Sequence, residues 1–168
     1  SVLEASPDRV EPRCRHYDAC AGCSLQHMAP PAQIAAKQQV LVENLERIGK
    51  VRPDALLPPL AAGHWGYRRK GRLSVRHVAK KGAVLVGFRD AANARFVADI
   101  RHCEVVHPAL GPKIGLLAEL VGSLDAAERI AQIEFAAGDD TVALVFRHLD
   151  PLSEHDLAAL TALARTHD

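Results

Sequence analysis

The chain of 168 residues has no apolar run near the ~20 residues that cross a bilayer, and no basic-then-apolar opening of a secretory signal. It reads as a cytoplasmic protein without a membrane partner. Methionine is nearly absent: the only one is Met28, and the first residue is Ser1. The chain therefore reads as a piece of a longer protein. Cysteine is scarce as well, with four residues, and nothing about the sequence suggests secretion, which argues against a disulfide framework. A glycine-rich strand-to-helix turn is also missing. Gly111 and Gly115 fall in a helical pattern, and Gly63 and Gly66 flank Trp65.

What is present is an ordinary globular composition, 48% hydrophobic and 24% charged, with charge unevenly placed. From Arg68 to Arg101 ten lysines and arginines face two acids, Asp90 and Asp99. The segment carries +8 in a chain of net charge +1, leaving −7 for the rest. Such asymmetry marks a part built to meet an anion.

Residues 1–13 are polar, hold two prolines and have no period; they read as a linker. Residues 14–29 contain three of the cysteines without helical or strand periodicity, so a bound ion is expected to set their shape. A helix is expected from Pro31 to Ile48, with Ile34, Leu41, Leu45 and Ile48 on one stripe and Gly49 as its stop. A Pro-rich connector follows, and residues 30–60 together form a helix-and-connector unit. Residues 61–168 read as an α+β domain: an antiparallel sheet flanked by helices. Arg72–Val78 alternates, with Leu73, Val75 and His77 opposite Arg72, Ser74 and Arg76; Lys81-Gly82 turns, and Ala83–Arg89 returns. Arg95–Arg101 is a third candidate strand, with Phe96, Ala98 and Ile100 alternating. A helical stripe runs through Leu110, Ile114, Leu117, Val121 and Leu124. Ile130–Ala136 and Thr141–Arg147 make a hairpin around Gly138-Asp139-Asp140, and a last helix, capped by Ser153, is expected to bury Leu157, Leu160 and Ala164.

Cys14, Cys20 and Cys23 stand as C-x5-C-x2-C, and Cys103 stands alone. Four thiolates suffice for a cluster or a structural zinc. The short step lets two sulfurs meet one centre from a tight turn, where Gly22 can adopt a conformation closed to most residues. A four-cysteine zinc site usually shows two C-x2-C pairs, and the second is missing here. The three-plus-one arrangement is one residue longer than a ferredoxin pattern, so spacing favours iron–sulfur without excluding zinc. The nine histidines read as surface or core residues, although His102 beside Cys103 could tune a cluster by hydrogen bonding.

If extended chain begins at Arg68, then Arg68, Lys70, Arg72 and Arg76 project from one face with a repeat of ~7 Å, comparable with phosphate spacing. Arg69, Lys80, Lys81, Arg89, Arg95 and Arg101 extend the basic patch. Tyr67 could stack on an unpaired base; Trp65 reads first as a core anchor.

The stretches RVEPRCRHYDACAGCSLQH, WGYRRKGRLSV and VGFRDAANARFVADIRHCEVVHPAL resemble the RumA-type 23S ribosomal RNA uracil-C5 methyltransferases. Ala21 departs from the resemblance in a minor way, since a glycine is common at that place. The resemblance implies a 4Fe-4S cluster on Cys14, Cys20, Cys23 and Cys103, ribosomal RNA as partner, and S-adenosylmethionine as methyl donor in the parent enzyme. It further implies that a TRAM domain precedes residues 1–13 and that a methyltransferase domain lies outside the chain, packed on residues 30–60. The chain alone is then expected to be inactive, and its uncovered helix 31–48 to self-associate. Two other readings stand beside this one: a zinc- or cluster-stapled RNA-binding protein, and a ferredoxin-like electron carrier, which has no use for a +8 segment.

Overall fold

A computed structural model describes residues 2–166. The first helix, α1 (Pro30–Arg47), opens with prolines in its first turn, where the missing N–H groups cost nothing. It ends one residue earlier than expected, with the N–H groups of Ile48 and Gly49 both donating to Asn44 O. None of its residues is buried, and the connector that follows is exposed throughout.

The sheet holds β1 (Lys70–Val78), β2 (Ala83–Gly87), β3 (Ile130–Ala137) and β4 (Val142–His148), all antiparallel in the order β2-β1-β3-β4. This is the expected α+β class. The period-2 alternation of β1 does what it promises: Leu73 and Val75 are buried, while Lys70, Arg72 and Arg76 are exposed. Across the sheet Leu73 opposes Ile133, and Val75 opposes Val86. The apolar face packs on α2 (Ile114–Ser123), which buries Ile114, Leu117, Ala118 and Val121. The larger of these, Ile114, Leu117 and Val121, each contribute about 1.5–3 kcal/mol on burial. The opposite face of β1 carries the exposed Lys70, Arg72 and Arg76.

Three expectations are corrected. Arg95–Arg101 is not a strand, and only Arg89 and Val97 form an isolated bridge there. Asp90 Oδ1 accepts the N–H groups of Ala92 and Asn93, Asn93 Oδ1 accepts that of Arg95, and this local turn competes with a ladder. Phe96 is consequently 60% exposed, and Val97 is buried in its place.

The last helix, α3 (Glu154–Thr166), is capped by Ser153 as expected: Ser153 Oγ accepts the Asp156 N–H at 3.1 Å, and Asp156 Oδ2 accepts the Ser153 N–H at 3.2 Å. Its inward face differs, however. Leu157 is 53% exposed and Ala164 is exposed, whereas Ala159, Leu160 and Leu163 pack on the core. Reciprocal capping turns the buried Asp156 inward, and the positions three, four and seven residues beyond it follow that face.

Gly22 is not in the left-handed region; among the described residues only Lys50, Gly66 and Gly82 have positive φ. Its lack of a side chain serves space, because a Cβ there would stand 3.1 Å from Phe88 Cδ2. No helix is long and apolar enough to cross a membrane among the described residues.

Candidate cysteine centre and nucleic-acid interface

A set of hydrogen bonds holds the cysteine segment in place. Cys20 N–H donates to His16 O, and Ala21 N–H donates to Arg89 O, docking the turn against the end of the β1–β2 unit. Ala91 N–H donates to Ala19 O, Cys14 N–H donates to Gln26 Oε1, and Tyr17 Oη donates to Ser24 O. Cys103 arrives from the irregular stretch after Ile100. Its N–H donates to Gly111 O at 3.0 Å, at the approach to α2.

These elements bring Cys14, Cys20, Cys23 and Cys103 to the wall of one small cavity of about 10 Å³, together with Phe88, Ile100 and His102. All four are free, and Cys103 is buried. Among the described residues no three of the sulfurs lie within 4.8 Å of one another. Burial pushes the Cys20 and Cys103 thiols up from their ordinary value, with the neighbouring thiols adding to it. Burial also pushes the nearby His16 down. His102 Nε2 stands 2.9 Å from Glu104 Oε1, but not aligned as a hydrogen bond, and Glu104 pairs with Arg13 at 3.2 Å.

The basic segment divides into two groups. Lys70, Arg72 and Arg76 project from the open face of the sheet, and among the described residues they make no ion pair. Glu134, opposite Arg72, is already held by Arg147 at 3.0 Å. Lys80 and Lys81 continue the row, exposed in a short 3-10 turn closed by Gly82. Arg89 and Arg95 are exposed as well.

Arg68 does not join them. It is half-buried, its Nη2 donates to Gly22 O at 3.1 Å, and its guanidinium lies 5.0 Å from the Phe88 ring centroid. Arg68 thus braces the cysteine turn. Arg69 is tied to Gly138 O and Asp139 at the β3–β4 turn, and Arg101 to Glu119. Trp65 is not a core anchor: it is 37% exposed, with Arg13 5.0 Å from its ring centroid, and Tyr67 is 55% exposed.

Arg13, Phe88 and Glu104 support the site without having stood out in the sequence, each through a contact with a residue distant along the chain. Gly111, read from the sequence only as part of a helical pattern, anchors Cys103. Asp125, His155 and Asp156 also bring their oxygen and nitrogen atoms within 4.8 Å of one another, but Asp156 is spent on the N–H groups of Asp125 and Ser153. That group is the cap of α3.

No protein-family model matches the chain. Individual proteins do. The 23S rRNA (uracil(1939)-C(5))-methyltransferase RlmD of Xylella fastidiosa (strain 9a5c) is 58% identical over 166 residues, which is 99% of this chain and 37% of that protein. The enzyme of the same name from Xanthomonas axonopodis pv. citri (strain 306) is 57% identical with the same coverage. The family resemblance is borne out. The chain spans 37% of the length of these curated relatives, so it corresponds to one part of such enzymes.

Proposed function

We propose that this chain is the RNA-holding, cluster-bearing region of an S-adenosylmethionine-dependent 23S rRNA uracil-C5 methyltransferase whose catalytic centre lies in the remainder of the parent protein. The observation that carries the reading is 58% identity, spread over 99% of the chain, to a methyltransferase named for a uracil of 23S rRNA. The chemistry of the residues agrees. Methyl transfer to uracil C5 needs a nucleophile that adds to C6, usually a thiolate, and a base that removes the C5 proton. This chain has four cysteines, all on the wall of one internal cavity, and no fifth to attack a base.

The three-plus-one spacing of the four cysteines favours a multi-iron group over a single zinc, which usually takes two C-x2-C pairs. An all-thiol donor set in largely apolar surroundings suits a 4Fe-4S cluster on Cys14, Cys20, Cys23 and Cys103. The space between them is small, so the turns of residues 14–23 must yield to admit it. When bound, such a group ties that turn segment to the stretch leading into α2; methyl transfer asks no electron of it. Arg68 then has a positioning role, holding Gly22 between two ligands.

Lys70, Arg72, Arg76, Lys80 and Lys81 form the surface that meets the RNA backbone. Unpaired cations on an uncovered sheet face attract phosphates without reading sequence. The test is a transplant. Placing this chain in the Xanthomonas relative, in exchange for its counterpart, is expected to give an enzyme that methylates 23S rRNA. The chain alone is expected to transfer no labelled methyl group from S-adenosylmethionine to rRNA. A folded but inactive chimera, or 5-methyluridine made by the chain alone, contradicts the proposal.

A further inference from the structure

We infer that Trp65 and Tyr67 form a seat for one unpaired nucleobase of the bound RNA, held ready by the segment that follows Cys103. The inference rests on the RNA-binding reading above and adds a stacking subsite to its phosphate row. Large rings bury much area in a core; here Tyr67 is 55% exposed and Trp65 leaves 37% of its surface open. Both line an open cleft of about 970 Å³ between the cysteine turns, α1 and the connector.

The turn carrying the rings is fixed. Gly66, at φ +64°, donates its N–H to Glu104 O at 2.9 Å, and Arg68 N–H donates to Val105 O at 2.8 Å. A Cβ on Gly66 would meet Pro108 Cδ at 3.0 Å, in a backbone conformation that disfavours side chains anyway. Rings held this way lose little freedom on binding. Arg13, pinned by Glu104, lies over one side of Trp65 and adds positive charge. The occupant is a base rather than an apolar protein segment because the chain runs from these rings directly into Lys70 and Arg72. A strand whose phosphates follow that row brings its next base to the head of it.

Trp65 is the sole tryptophan and so reports on its own ring. The chain is titrated with a labelled single-stranded oligouridine and, separately, with inorganic polyphosphate, following Trp emission and RNA anisotropy. The expected result is quenching by RNA and none by polyphosphate. Trp65→Leu and Tyr67→Ala each should weaken RNA binding about 5- to 150-fold, corresponding to about 1–3 kcal/mol per stacked base, with an unchanged salt slope. Tyr67→Phe should keep the affinity, which separates loss of a ring from loss of the fold. RNA bound without quenching and with full affinity in both variants overturns the seat and leaves the RNA reading intact; so does equal quenching by polyphosphate. No binding of RNA at low salt overturns both.

Discussion

Cys103 and Gly111 are locked together: the Cys103 N–H donates to Gly111 O at 3.0 Å, and a Cβ on Gly111 would stand 2.5 Å from Cys103 O. Gly111 is buried, so nothing nearby can swing away. Gly111→Ala is therefore expected to push Cys103 off its position. Overpacking of this kind costs about 1–3 kcal/mol, readable as a lower urea midpoint. The variant should also take up less iron on reconstitution than the parent chain, measured per folded protein. Parent-like stability and iron content would show that Cys103 does not depend on this contact.

The open sheet face should bind RNA through charge. Replacing Arg72 and Arg76 together by alanine is expected to flatten the plot of log affinity against log salt by roughly 0.7 per residue for single-stranded RNA. The loss should be similar for unrelated sequences. Replacing Arg68 should act differently, because its guanidinium is spent on Gly22 O and Phe88: metal retention falls while the salt slope hardly moves. An unchanged slope in the double variant would show that this face does not meet the RNA backbone.

Asp156 gives the fold a pH dependence of predictable sign. Burial by itself would raise its carboxyl, but the donors from Ser153, Asp125 and Ala126 outweigh this and hold it below the ordinary value. A carboxyl depressed in the folded state adds stability above its unfolded value of about 3.9, and that stability disappears as pH falls through the lower folded value. Asp156→Asn should lower the melting temperature at pH 7 and flatten its fall below about pH 4. Parallel curves for the two proteins would contradict the assignment.

In the stripe of α1, Leu41 and Ile48 are 55% and 78% exposed, and Ile34 and Leu45 are half-buried. Incompletely covered apolar stripes tend to find a partner, and we propose that the isolated chain self-associates through this one. Sedimentation should show a dimer at high concentration that Leu41→Asp with Leu45→Asp returns to monomer. A parent chain that stays monomeric throughout would contradict it.

Much of this arrangement is legible in the sequence, where side-chain pattern and local turn chemistry agree. Alternation in β1, the Gly138-Asp139-Asp140 turn and the Ile114, Leu117, Val121 stripe point to one fold, and the structure follows. Phe96, Ala98 and Ile100 also alternate, yet the turn built on Asp90 and Asn93 leaves only a short bridge, in which Asp90 N–H donates to Phe96 O and Ala98 N–H to Phe88 O. Arg68 could not be separated from Lys70 and Arg72 by pattern, because its partner Gly22 lies far away in sequence. Trp65 invited burial by size alone; its exposure depends on how Gly66 is tied to Glu104. The four cysteines were conspicuous, but their common cavity depends on Phe88 and Gly111, which pattern does not mark.

The most direct measurement is anaerobic reconstitution of the chain with iron and sulfide, followed by metal analysis and a visible spectrum. The expected result is a brown protein with about four irons and four labile sulfides per chain, and loss of that content in each of Cys14→Ser, Cys20→Ser, Cys23→Ser and Cys103→Ser. A chain that takes up one tightly held zinc and no sulfide, or that keeps its iron when Cys103 is replaced, would contradict it.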